Sequence, residues 1–221
     1  TPHYYDVDAI SAQPGSKSDL VLLVLPDRHT VSVLNLSTAR QKEYRLNNAS
    51  LIGDVFLSPD GQRVLTIHPQ DSIAYVWSLE EGRLLYQLVH TKPVNTAAFS
   101  ADGAYITTNA SDELQRLWTS DGRLVRQYAN LATSNASTTF SPDGKILLIG
   151  KDNQTIELYT PGAQAPFATL KTDGDVDQVM FDGSGQFLLV KSVDWEGNAD
   201  VQIRVFNIRG MRTFEKTFSA T

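Results

Sequence analysis

Leu57-Ser-Pro-Asp-Gly61, Phe99-Ser-Ala-Asp-Gly103 and Phe140-Ser-Pro-Asp-Gly144 are one phrase written three times, and Phe181-Asp-Gly-Ser-Gly185 is a looser fourth copy. Their closing glycines lie 42, 41 and 41 residues apart. An aromatic residue follows each glycine: Trp77, Trp118, Tyr159 and Phe206, at 16, 15, 15 and 21 residues. Six residues ahead of each aromatic stands Asp71, Asp112, Asn153 or Asp200. A degenerate copy can be laid over 19–34, with Asp19 at the glycine place and Leu34 at the aromatic one. Five units then fill the chain: 1–47, 48–90, 91–130, 131–171 and 172–221.

Each unit reads as four strands. In the third, apolar runs at Val94–Phe99, Ala104–Thr108, Leu114–Trp118 and Arg123–Tyr128 are separated by Ala101-Asp-Gly103, Asn109–Asp112 and a third turn. Short β-rich runs bounded by Gly, Pro, Asn, Asp and Ser are the marks of strands and tight turns. In the recurring turn, Pro presets φ, Asp caps the turn and Gly takes the positive-φ position. Four-stranded units repeating at this length predict an all-β fold, a β-propeller of antiparallel blades. The chain is then one propeller domain, 1–221, or part of one.

Composition bounds the chemistry. The 221 residues are 41% hydrophobic and 20% charged, enough apolar content for a packed core. Nineteen basic against twenty-five acidic residues leave a net charge of −6, which argues against a nucleic-acid binder or an anionic-membrane binder. With no Cys there is no disulfide, Cys-ligated zinc, iron–sulfur cluster or thiol catalysis. That absence suits an oxidising, extracytoplasmic compartment without requiring one. The longest apolar run, Leu20–Leu25, is far short of a membrane span, so no membrane insertion is expected. Without an initiator Met or signal peptide, the chain is expected to begin inside a longer product or after processing.

The stretch Gln87-Leu-Val-His-Thr-Lys-Pro-Val-Asn-Thr-Ala-Ala-Phe-Ser-Ala-Asp-Gly103, followed by Asn109-Ala-Ser-Asp112 and Leu117-Trp118, resembles a WD (WD40-like) repeat. In that family a His, a Ser or Thr, an Asp and a Trp form a structural hydrogen-bonded tetrad, and the resemblance assigns those roles to His90, Thr108, Asp112 and Trp118. The second unit keeps Asp71 and Trp77 but has Asn48 where the His should stand. The last two units carry Tyr159 and Phe206 instead of Trp. The Asp that follows the Trp in the family is replaced by Ser78, Thr119, Thr160 and Asn207. The first unit, with Asp27-Arg-His-Thr-Val-Ser-Val-Leu-Asn-Leu36, is closer to surface-protein and lactonase-type (YVTN-like) propeller repeats. Five units can close a ring or form an arc of a larger one. Because WD-type rings resemble six- to eight-bladed assemblies more often, the arc is the expectation.

Catalytic signatures are missing: no H-E-x-x-H, no G-x-S-x-G, no P-loop and no G-x-G-x-x-G ahead of a helix. No catalytic, cofactor-binding or metal-binding residue is assigned, and no cofactor is implied. His29 and His68, read as mobile-loop residues beside Asp27 and Asp71, fall short of the three or four ligands that a metal needs. Asp173-Gly-Asp175-Val-Asp177 lacks the glycine and distal Glu of a calcium loop, Gln178 and Ser184 standing there. Five N-x-S/T triplets, at Asn35, Asn48, Asn109, Asn135 and Asn153, are read as turn residues rather than glycan acceptors.

One segment stands out by charge. Residues 172–200 hold seven acids and one base, Lys191. The fifth unit also carries extra residues around Val193-Asp-Trp-Glu-Gly-Asn198, between its second and third strands. That connection and the one leading into the first strand emerge on the same rim of a four-stranded blade. Asp173, Asp175, Asp177, Asp194, Trp195 and Glu196 are therefore the candidate partner-binding residues: Trp is enriched at binding hot spots and acids steer a basic partner. The leading expectation is a non-enzymatic interaction scaffold with a protein partner, a basic one. The alternatives are a lactonase-type propeller enzyme and a sensor module of a larger multidomain protein.

Overall fold

The turn phrase that recurs in the sequence is built from side-chain hydrogen bonds. The computed structural model describes residues 9–11, 19–46, 51–129, 139–194, 201–208 and 212–218. In the second unit Ser58 donates its hydroxyl to Asp60 at 2.5 Å and accepts the Arg63 amide at 2.9 Å, while Asp60 accepts the Gln62 amide at 3.0 Å. The Gly61 amide closes the turn on the Ser58 carbonyl, with Gly61 at φ 71°. Ser100 and Asp102, then Ser141 and Asp143, repeat the arrangement. All three serines are buried, so each hydroxyl needs these partners. In the fourth copy the two side chains have changed places. Asp182 stands where Ser should and accepts the Phe187 amide at 2.7 Å; Ser184 stands where Asp should and accepts the Gln186 amide at 3.2 Å. The turn survives because a hydroxyl and a carboxylate are both acceptors.

Among the described residues these turns join twenty strands into five four-stranded sheets, each running in chain order. The first holds β1 (Ala9–Ser11), β2 (Leu20–Val24), β3 (Thr30–Asn35) and β4 (Arg40–Arg45). The second holds β5 (Asp54–Leu57), β6 (Arg63–Ile67), β7 (Ile73–Ser78) and β8 (Arg83–Val89). The third holds β9 (Val94–Phe99), β10 (Tyr105–Ala110), β11 (Leu114–Thr119) and β12 (Leu124–Ala129). The fourth holds β13 (Thr139–Phe140), β14 (Leu147–Asp152), β15 (Thr155–Tyr159) and β16 (Ala168–Lys171). The fifth holds β17 (Asp175–Phe181), β18 (Phe187–Val193), β19 (Val201–Asn207) and β20 (Arg212–Phe218). Adjacent strands pair antiparallel, as in β6–β7 and β18–β19. The all-β reading and its rhythm of four strands therefore hold.

The chain divides into two compact units, one of residues 1–112 with 118–124 and one of 113–117 with 125–221. In the first, Leu22, Val24, Val31 and Val33 of the first sheet pack on Val55, Val64 and Trp77 of the second. The opposite face of the second sheet, with Leu65 and Val76, packs on Val94, Ile106 and Trp118. In the second unit Leu148, Ile156 and Leu158 of the fourth sheet meet Val176, Leu188, Val190 and Phe206 of the fifth. Inner strands therefore bury both faces and read as near-continuous apolar runs, while outer strands such as β4 stay exposed.

In the second to fifth sheets the aromatic residue late in the third strand is buried, and its polar atom, where it has one, decides what the strand beside it carries. In the third sheet Trp118 donates its indole N–H to the fully buried Thr108 hydroxyl at 2.7 Å. The His90 ring stands edge-on to Trp118 at 5.7 Å, and Asp112 accepts the hydroxyl of Thr91, next to His90, at 2.6 Å. In the second sheet Trp77 donates to Thr66 at 3.1 Å. Here the Thr hydroxyl also meets His68 Nε2 at 3.0 Å, and His68 Nδ1 meets the Leu51 carbonyl at 3.0 Å. A carbonyl can only accept, so Nδ1 donates to Leu51, and the Thr66 hydroxyl holds the other ring nitrogen. The sequence reading of His68 as a mobile-loop residue is corrected: it is 1% exposed and clamped at both nitrogens. Position in a turn pattern concealed a ring that folds back under the sheet.

The fourth and fifth sheets solve the same problem without Thr. Register places Ile149 and Val190 where Thr66 stands. Tyr159 sends its hydroxyl along its own strand to Glu157 at 2.7 Å, and Glu157 is paired with Lys151 at 3.0 Å. Burial, and the Glu157 carboxylate that accepts this hydrogen bond, push the phenol up to about 12. Phe206 has no polar atom and lies in an apolar cluster with Leu188 and Val190. Donor and acceptor have been kept together or lost together.

Two measurements check this account. Thr108→Val leaves the buried Trp118 N–H without its acceptor and should cost about 1–3 kcal/mol, against about 0.5–1.5 kcal/mol for Ile149→Val, in denaturant unfolding. Equal losses would contradict the pairing. Asp143 and Asp182 are held below the ordinary carboxylate range, chiefly by the Ser141 and Ser184 hydroxyls. A depressed native pKa gives stability that is full above the unfolded carboxylate value and drains as pH falls through the native one. Thermal midpoints should therefore drop below about pH 4, and Asp143→Asn should flatten part of that slope.

Candidate functional site

The acidic residues singled out in the fifth unit meet at one end of its sheet. β17 begins at Asp175 and β18 ends at Val193, and these two residues are register partners. The connection into β17 and the one leaving β18 therefore emerge side by side. Gly174 makes the close approach possible. A Cβ there would lie 2.6 Å from the Val193 carbonyl oxygen and 2.9 Å from the Asp194 nitrogen, so any other residue displaces backbone. Thr172 donates its hydroxyl to the Gly174 carbonyl at 2.6 Å and its amide to the Gln154 carbonyl at 3.0 Å. The Val176 amide is held by the Asn153 carbonyl at 2.6 Å. These bonds tie the start of β17 to the β14–β15 turn.

The charges on this rim are unequal. Asp173 is paired with Arg204 of β19, whose guanidinium also donates to the Lys171 carbonyl at 3.0 Å. Asp177 is paired with Lys191 at 2.6 Å. Asp175 receives only the Gln154 side-chain amide at 3.4 Å among the described residues, a neutral donor that leaves the carboxylate's charge unbalanced. Asp194 is exposed on the same rim. Trp195 and Glu196 lie outside the described residues. Counting charge along 172–200 overstated the local excess, because Arg204 lies beyond the window and comes back through strand pairing. A readable signal was present: a lone Arg between Ile203 and Val205 in an apolar strand needs a partner.

Asp175 opens on a polar cleft of about 530 Å³ lined by the turn 152–155, Lys171 and Thr172. Asp152 uses one oxygen to accept the Gln154 amide at 2.9 Å. Asp152 and Gln154 were not singled out in the sequence, since an acid in the β14–β15 turn looks like a turn cap and is one. The cleft offers carboxylates on two sides and a single ammonium, Lys171. Such a lining can accept hydrogen bonds from a cationic side chain. Among the described residues no group of three or more His, Asp or Glu converges in a way that could hold a metal ion.

Comparison with known proteins agrees with this architecture. A family model described as "WD domain, G-beta repeat" matches residues 82–124, the stretch around Trp118. The chain is 26% identical over 179 residues to COMPASS component SWD3 of Saccharomyces cerevisiae, covering 74% of this chain and 56% of that protein. It is 25% identical over 169 residues to small ribosomal subunit protein RACK1 of Drosophila melanogaster, covering 72% and 52%. The match to telomerase protein component 1 of Mus musculus is 27% over 148 residues, covering 64% of this chain but only 6% of that one. The chain thus spans about half the length of SWD3 and RACK1. Among solved structures, the β-propeller domain of Myceliophteria thermophila Cps50 (Swd1) superposes with a TM-score of 0.69 at 13% identity, over the whole of this chain and 74% of that domain. What the recurring turn and the buried anchors suggested, the comparisons support: the chain has a β-propeller fold and carries a WD repeat over residues 82–124.

Proposed function

We propose that this chain is a non-enzymatic scaffold for protein interactions, and that it takes a basic partner segment on the rim of the fifth sheet. Asp175 and Asp194 face that segment, with Asp152 across the cleft and with Trp195 and Glu196 in the connection that follows. One observation carries the reading: of the triplet Asp173, Asp175 and Asp177, the middle carboxylate alone has no cation on it among the described residues. It sits at the mouth of a polar cleft whose floor is fixed by backbone hydrogen bonds. The two ion-paired neighbours hold the loop in shape, and Asp175 meets the partner. A rigid rim loses little entropy on binding, which favours affinity.

The relatives supply the class of partner. SWD3 is named as a component of COMPASS, RACK1 as a small ribosomal subunit protein and the mouse relative as a telomerase component, each a part of a larger assembly. Beyond the likeness of the first unit's repeat, no observation favours the lactonase-type alternative. A net charge of −6 supports the exclusion of nucleic acid as a partner.

The test is surface plasmon resonance against an immobilised arginine-rich peptide at two salt concentrations. Asp152→Lys with Asp175→Lys should weaken binding roughly tenfold, mostly in the association rate, with a shallower salt dependence. Trp195→Ala should raise the dissociation rate. Binding that is unchanged by the double reversal, or hydrolysis of a lactone panel by the wild-type chain, would count against the reading.

A further inference from the structure

A second surface, of opposite sign, lies in the other compact unit. β4 is the outermost strand of the first sheet and reads Arg40-Gln-Lys-Glu-Tyr-Arg45. Register pairs Arg40 with Asn35, Lys42 with Val33 and Tyr44 with Val31, so these three side chains share the face that packs toward the second sheet. That face does not close over. A groove of about 740 Å³ runs between β4 and the turns of the second sheet at Gly61–Gln62 and Leu79–Glu80.

The groove has an apolar floor and a cationic wall. Leu20, Val33, Leu79 and Tyr44 line its floor. Lys42 holds its ammonium 4.7 Å above the Tyr44 ring. Among the described residues neither Arg40 nor Lys42 has a carboxylate partner, although the chain carries six more acids than bases. By contrast Arg63, Arg83, Arg123, Lys145, Lys151, Lys191 and Arg204 are each paired with an acid. Arg40 and Lys42 face an apolar trough in which Glu80 is the one acid of the lining, and this arrangement fits an anionic ligand with an apolar side chain.

We propose that this groove binds an extended acidic peptide segment that adds to the free edge of β4. Residues two apart on a strand stand about 6.6–6.8 Å apart on one face, the spacing of alternate side chains in any extended peptide. A peptide laid antiparallel to β4 would set an apolar residue beside Tyr44 and carboxylates opposite Lys42 and Arg40. Its pattern is therefore apolar-x-acid-x-acid. The edge supplies backbone hydrogen bonds and the groove reads alternate side chains, as in other strand-addition complexes. The obvious rival is that Arg40 and Lys42 only guard an exposed edge against self-pairing.

The experiment is a fluorescence anisotropy titration with a labelled octapeptide containing Leu-Thr-Glu-Thr-Glu, beside the same peptide with Lys in place of Glu. The wild-type chain should bind the acidic peptide and not the basic one. Arg40→Glu with Lys42→Glu should weaken binding by roughly tenfold or more, since both sites are exposed and the reversal turns attraction into repulsion. A circular dichroism melt confirms that the variant is folded. Asp175→Lys should leave this titration unchanged, which separates the groove from the rim on the fifth sheet. The proposal is overturned if the wild-type chain ignores the acidic peptide, if both peptides bind alike, or if the double reversal leaves peptide affinity intact and changes only self-association.

Discussion

The second, third and fourth sheets depend on a buried third-strand anchor whose polar atom must be satisfied. Burying Trp77 and Trp118 contributes large apolar area, but each indole N–H left without an acceptor would cost a good part of what the burial gains. The strand alongside must therefore offer a hydroxyl at one defined register position. Thr66 and Thr108 do so. Once the anchor becomes Tyr159, the acceptor moves to Glu157 and the Thr position becomes Ile149. Once it becomes Phe206, Val190 suffices. The variation among repeats is thus a set of consistent solutions to one requirement, and a blade with the Trp of one solution and the Ile of another would be unstable.

The same logic explains how the repeat can diverge while its spacing does not. The hairpin between the first and second strands needs two acceptors, two residues apart, and a left-handed glycine. Ser58 with Asp60 and Asp182 with Ser184 meet that need in opposite order. In the second sheet the histidine expected at 48 is replaced by an Asn in the sequence, and a ring from the end of β6 takes over a buried hydrogen-bonding role. His68 reaches the Leu51 carbonyl that leads into β5. Local chemistry is exchangeable as long as the donor and acceptor count at each buried position comes out even.

This sets the boundary of what the residues disclosed before any coordinates. Sheet number, strand order and the turn at each Gly were legible, because they depend on period and on residues with narrow backbone preferences. Charge was not. Acids and bases were summed over 172–200, yet pairing in an antiparallel sheet joins residues far apart in sequence: Asp173 meets Arg204 thirty-one positions on. The burial of His68 was hidden for a related reason. A polar residue after a strand looks like loop until the carbonyl that fixes it is located, and that carbonyl belongs to Leu51, seventeen residues earlier. Pocket residues such as Gln154 were invisible because they contribute through backbone position more than through residue type.

The uneven fate of charges also bears on how such a domain can serve partners. A charge that is paired within the fold is screened and mostly shapes its own loop. A charge left over keeps its long-range field and can steer an incoming chain. In an acidic protein, leftover acids are expected by number alone, and Asp175 needs no special explanation beyond its place on a fixed rim. Leftover cations are different. Among the described residues Arg40 and Lys42, at alternate positions of β4 on the face that lines the groove, are in no ion pair. A positive field over an apolar floor discriminates among partners by sign before any contact is made.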